Sequence, residues 1–152
     1  MSYVAPKDFR DAVLTAARAY DWSTVGTVVW RVGPIRAIRL DGTEAAIGII
    51  EVAGIPEGER SAGSGNHWWH DWDLTVHLLV PDDEADPVAA EDARLDLLEL
   101  FGQLVHANRD IGPGAKVTRL GNVELQVGTL FANSDQIFRA AKLTLTYKTL
   151  RS

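Results

Sequence analysis

The apolar side chains of residues 72–150 change their spacing twice, and few folds accommodate that order. Trp72, Leu74, Val76, Leu78 and Val80 alternate with Asp73, Thr75 and His77. Period-two alternation is the mark of a strand with one dry and one wet face. Pro81 ends it, and a helical period follows. Asp86 can cap free N–H groups, and Pro87 fits the first helical position. From 88 to 107, Asp92, Asp96, Glu99, Gln103 and His106 recur every three or four residues as a wet stripe. Ala93, Leu97, Leu100, Phe101 and Leu104, with Leu95, Leu98 and Val105, make a wide dry face that should lie on a sheet. Ile111-Gly112-Pro113-Gly114 stops the helix.

Alternation then returns. Val123, Leu125 and Val127 oppose Asn122, Glu124 and Gln126, while Leu120 breaks their register just before Gly121 and marks a bulge. Ala141, Leu143, Leu145 and Tyr147 alternate with Lys142, Thr144, Thr146 and Lys148 in the last strand. The predicted class is α+β: a mostly antiparallel β-sheet with an N-terminal helix and one long amphipathic helix packed on it.

The first half is less regular. Residues 7–20 predict a helix, with Phe9, Val13, Ala16, Ala17 and Tyr20 on one stripe, Pro6 in the first turn, and Asp8 and Arg18 matched to the helix dipole. Residues 24–40 have strand composition, interrupted by Gly33-Pro34, and predict one or two short strands. Asp41-Gly42 is a turn. Residues 45–52 (AAIGIIEV) read as a short buried strand. Residues 54–66 (GIPEGERSAGSGN) have almost no apolar anchor and predict a long mobile loop, used for function or merely flexible. Residues 1–152 are expected to form a single domain.

The chain has no cysteine, so disulfides, thiolate metal sites and cysteine nucleophiles are excluded. No apolar h-region opens it and no run is long enough to span a membrane, which predicts a cytoplasmic protein. A net charge of −6 argues against a broad nucleic-acid footprint. Asp82, Asp83, Glu84, Asp86, Glu91 and Asp92 concentrate that charge, either as a solvated loop and helix start or as a docking patch for a basic surface.

Chemistry-bearing groups do not converge. His67, His70, Asp71 and Asp73 look superficially like a metal cluster, but His70 diverges from Asp71 and Asp73 by strand parity and His67 lies at a loop edge, so neither a metal nor a cofactor is expected. Gly63-x-Gly65 lacks the rest of a phosphate-binding loop. Asp82 and Asp83 have no apolar neighbours to raise a carboxyl pKa. No catalytic residue is expected.

Three of five tryptophans lie within five residues, at Trp68, Trp69 and Trp72. Parity sends Trp68 and Trp72 to the core and Trp69 outward, where a neighbouring subunit or partner would cover it. Lys142 and Lys148 should face solvent, and lysines on an edge strand deter uncontrolled pairing.

The helix, the AAIGIIEV strand, the long loop, the segment WDLTVHLLVPDDEADP, the amphipathic helix and the closing LTLTYKTL strand follow an order over nearly the whole chain. It resembles that of the tail terminator, or tail completion, proteins of long-tailed bacteriophages and gene-transfer particles. The resemblance implies a structural virion protein at the tail–head junction, assembled in the host cytoplasm. It implies a hexameric ring that caps the tail tube, stops its polymerisation and joins it to the head-side connector. The implied partners are other copies of the chain, the tube protein and the connector or neck protein. It implies no membrane and no sequence-specific nucleic acid, with DNA given only a passage through the ring. Loop position and parity nominate Arg60, Ser61, Asn66, His67 and Trp69 as interface residues, then Leu130, Phe131 and Asn133, and the acidic Asp82, Asp83 and Glu84. Two rivals stand beside this reading: a head–tail connector or neck adaptor, and a small-ligand-binding or metal-dependent enzymatic α+β domain.

Overall fold

In the computed structural model the chain forms α1 (Pro6–Ala19), β1 (Val28–Val32), β2 (Ala46–Gly54), β3 (Glu59–Ser61), β4 (Trp68–Pro81), α2 (Pro87–Ala107), β5 (Ala115–Gly128) and β6 (Phe138–Arg151). The structure describes residues 5–34, 40, 42–54, 59–61, 68–110, 115–128 and 136–151. The strands make one sheet in the order β1-β2-β4-β6-β5. Only β1 and β2 run parallel; the other pairs are antiparallel. The class is therefore α+β, a mostly antiparallel sheet with two helices.

Both helices cover the same face. α1 lies over β1 and β2, and α2 over β4 and β6. Phe9, Val13 and Ala17 are the buried stripe of α1, with Pro6 in its first turn. Asp86 caps α2, its Oδ1 accepting from the Ala89 N–H at 3.1 Å. The predicted alternation places Leu74, Val76, Leu78 and Val80 of β4 under the helices, beside Ala141, Leu143, Leu145 and Tyr147 of β6. Complete burial of one such side chain stabilises by about 1.5–3 kcal/mol. Aromatic rings tie the layer together. Phe9 stacks on Tyr147 with centroids 3.5 Å apart, and Trp30 bridges Trp22 at 5.0 Å and Phe101 at 5.8 Å. The Trp30 indole crosses its register partner Gly48, where a Cβ would come within 2.2 Å of the ring. Only a residue without a side chain fits there.

The opposite face carries no helix, yet it is not simply wet. Leu40 packs on Ile47, Ile49, Leu79, Phe138 and Ala140 as a second, smaller cluster. The Gln136 side chain clamps the Leu40 backbone, accepting from its N–H at 2.8 Å and donating to its carbonyl at 3.1 Å. Thr75 and His77, expected on a polar surface, are buried beside this cluster.

Three expectations change and one is met. The segment 54–66 is not one uninterrupted loop. Residues 59–61 form β3, which extends the β2 side of β4 and pairs with residues 68–70. The last strand is not an edge: β6 lies between β4 and β5, so Lys142 and Lys148 are half-buried. Among the described residues β1 and β5 end the sheet path, and the short β3 pairs on one side only. Leu95 leaves the dry face of α2 and is exposed, while Arg94 takes a buried position on that helix. The expected irregularity near Leu120 is present as two register shifts in β5, between Val117 and Arg119 and between Gly121 and Glu124.

Candidate functional site

The acidic segment is only partly free to meet a partner. Asp82 turns inward, its side chain 14% exposed, and its Oδ1 accepts from Arg139 Nε at 2.8 Å. Arg139 Nη1 also donates to Glu91 Oε2 at 2.9 Å. Arg94 Nη2 lies 2.6 Å from each Glu91 oxygen, and its Nη1 reaches the carbonyls of Gln126 at 3.1 Å and Ala140 at 3.3 Å. This chain of four charges fastens α2 to β5, β6 and the segment after β4. The Arg94 hydrogen bonds hold the Glu91 carboxyl below the usual glutamate range, with Arg139 adding to the effect. The Asp82 hydrogen bond, followed by that of Glu91, raises Arg139 above the ordinary arginine value. Asp83 closes a turn by accepting from the Ala85 N–H at 3.0 Å, and Asp86 is spent on the helix cap. Asp83 and Glu84 remain exposed and carry the segment's outward charge.

Two polar pairs mark the helix-free face. His77 Nε2 lies 3.0 Å from Glu51 Oε1, a hydrogen bond in which the carboxylate accepts. Thr146 donates to Asp73 at 2.7 Å. Asp73, one of the four residues that look superficially like a metal cluster, is thus engaged across the strands. Among the described residues no group of three or more His, Asp or Glu could hold a metal ion. No described helix is long and apolar enough to cross a membrane.

The feature that sequence reading misses is an apolar strip along the junction of α2 and β5. Leu95, Leu98 and Gly102 share one flank of α2, at i, i+3 and i+7. That flank faces β5, because Gly102 sits against Leu120 and Arg94 holds the Gln126 carbonyl. Leu95 is 43% exposed, Leu120 37%, Val123 47% and Leu125 50%. Scattered apolar residues on a surface are ordinary, but exposed Leu95 on this flank of α2 and exposed Leu120, Val123 and Leu125 along β5 concentrate apolar surface beside a strand that ends the sheet path. The signal was present in the sequence. Leu95 stands 120° or more around the helix from the Leu97–Phe101 centre, at 100° per residue.

The other nominated residues are placed as follows. Arg60 and Ser61 are in β3, and Trp69 in β4 pairs with Arg60 on one side and Leu150 on the other. The side chains of Arg60, Ser61 and Trp69 lie outside the described residues. Asn66, His67, Leu130, Phe131 and Asn133 lie outside them entirely. Comparison with family models and with curated protein sequences gives no match.

Proposed function

We propose that this chain is the subunit of a tail terminator ring that caps a tail tube and joins it to the head-side connector. One observation carries the reading on the structural side: among the described residues the sheet path ends in two unlike strands, β1 and β5, and β5 is flanked by exposed apolar residues. A subunit with two unlike edges is suited to head-to-tail association, which closes into a ring when the rotation permits. The order of elements in the sequence supplies the tail-terminator part of the proposal.

The test is native mass measurement over a concentration series, with negative-stain imaging of the heaviest species and capture on purified tube ends. Six-fold rings that bind tube ends support the proposal. Rings that capture only portal-side protein assign the chain to the neck instead. A stable monomer whose melting temperature rises with a small ligand or metal ion overturns it in favour of a binding or enzymatic domain.

A further inference from the structure

The apolar strip has charged surroundings, and these say what can cover it. On the helix side, Asp92, Asp96 and Glu99 are exposed on α2 beyond Leu95. On the helix-free side, exposed Glu124 adjoins Leu125 and stands opposite Lys142 in the register. Two copies of this surface placed face to face would set carboxylates against carboxylates. An isologous contact through the strip is therefore disfavoured.

The opposite edge of the sheet has the complementary character. In β1 the pairing to β2 uses the carbonyl of Thr27 and the N–H of Gly33, so odd-numbered residues face β2 and Val28, Trp30 and Val32 turn their backbone groups outward. Val32 is exposed on that edge. Arg18, near the end of α1, donates to the outward Trp30 carbonyl at 3.0 Å and is itself exposed. Trp30 belongs to the helix-side cluster and Val29 packs on the helix-free one, so Arg31 stands on the helix-free side. Arg31 is exposed. The acidic residues of α1 and its end are partly occupied. Asp11 is bonded to Arg10, and the Asp21 carboxylate accepts from the Ser23 N–H. Asp8 and Lys7 are both exposed in the first turn of α1.

Resting on the ring reading above, we propose that the cover is a second copy of this chain, with its β1 edge docked on the α2–β5 strip. Val32 meets the leucines, Arg18 meets Asp92, Asp96 and Glu99 on the helix side, and Arg31 meets Glu124 on the other. On the helix side the charges match in this orientation, and on the helix-free side the match is local to Glu124, because Lys116 and Arg119 stand at register positions on the same side of β5. Arg18 already occupies the Trp30 carbonyl, so side chains make the contact and the sheet is not simply extended across it. Every subunit offers carboxylates beside the strip and guanidinium groups at β1, so the contact propagates head to tail.

A charge-swap experiment tests this. One variant carries Asp92→Lys, Asp96→Lys, Glu99→Lys and Glu124→Lys; the other carries Arg18→Glu and Arg31→Glu. Circular dichroism melts confirm that each folds, and the pair Glu124→Lys and Arg31→Glu replaces both variants if losing the Trp30 bond unfolds the second. Each variant alone should self-associate about 100-fold more weakly than the natural chain. An equimolar mixture should recover rings of alternating composition, because each reversed edge then meets an opposite one. Either variant associating like the natural chain overturns the proposal, and so does a mixture that stays monomeric. A natural chain that is monomeric at every concentration overturns both this interface and the ring. Rings that obey the swap but ignore tube ends leave the interface standing and overturn the tail-terminator reading.

Discussion

The two faces of the sheet are built by the same strands, yet they are closed by different means. Under the helices, neighbouring elements supply apolar surface from all sides, and rings from α1, β1, α2 and β6 pack in contact. Among the described residues the other face is closed at Leu40, which one glutamine side chain holds, with buried Thr75 and His77 next to it. The first arrangement draws its stability from many cooperative contacts. The second depends on a few directed bonds, each worth about 1 kcal/mol net, and should open locally before the molecule unfolds.

The comparison can be broken most forcefully at Phe101. Replacing it by alanine should cost about 4 kcal/mol in urea unfolding, with a single cooperative transition retained. A smaller loss there would mean that the helix layer is loosely packed. Next is Gly48→Ala, whose new methyl group meets the Trp30 ring. Overpacking should cost about 2 kcal/mol and shift tryptophan fluorescence as the indole is displaced. An unperturbed emission spectrum would contradict the close crossing. On the other face, Gln136→Ala should cost about 1 kcal/mol globally. Hydrogen exchange at the Leu40 amide should accelerate far more than at core amides such as Leu143. Uniform acceleration would erase the distinction between the faces.

The smallest expected effect concerns pH. Glu91 has a depressed pKa in the folded chain, chiefly through Arg94. Its contribution is therefore fully present above the ordinary glutamate range and is lost as pH falls through the lower folded value. Glu91→Gln should flatten the acid limb of the stability curve in that window and leave the neutral region with little pH dependence of its own. An unchanged acid limb would show that the four-charge chain does not couple to folding.

Much of this architecture was legible from residue order. The α1 stripe, the β4 and β6 alternation, and the Asp86 cap are local patterns, and each appears where the spacing predicts it. β3 was not legible, because Glu59, Arg60 and Ser61 carry no strand signature and pair only where β4 extends beyond β2. The candidate surface was read less well. Asp82 has the same composition-level appearance as Asp83 and Glu84, and only Arg139 distinguishes it. Leu95 could have been separated from the dry face by its angle on the helix. Its exposure also depends on where β5 stops covering α2.

Periodicity, caps and breakers belong to the sequence because they follow from covalent geometry over one or two turns or a few strand residues. They determined the class of fold and which residues of β4 and β6 would lie under the helices. Strand order, the edge positions of β1 and β5, the clamp on Leu40 and the inward turn of Asp82 were decided by tertiary structure. Gln136 acts across 96 residues of chain and Arg139 across 57. Contacts at such separations exist only after the whole sheet has closed, so no local pattern encodes them.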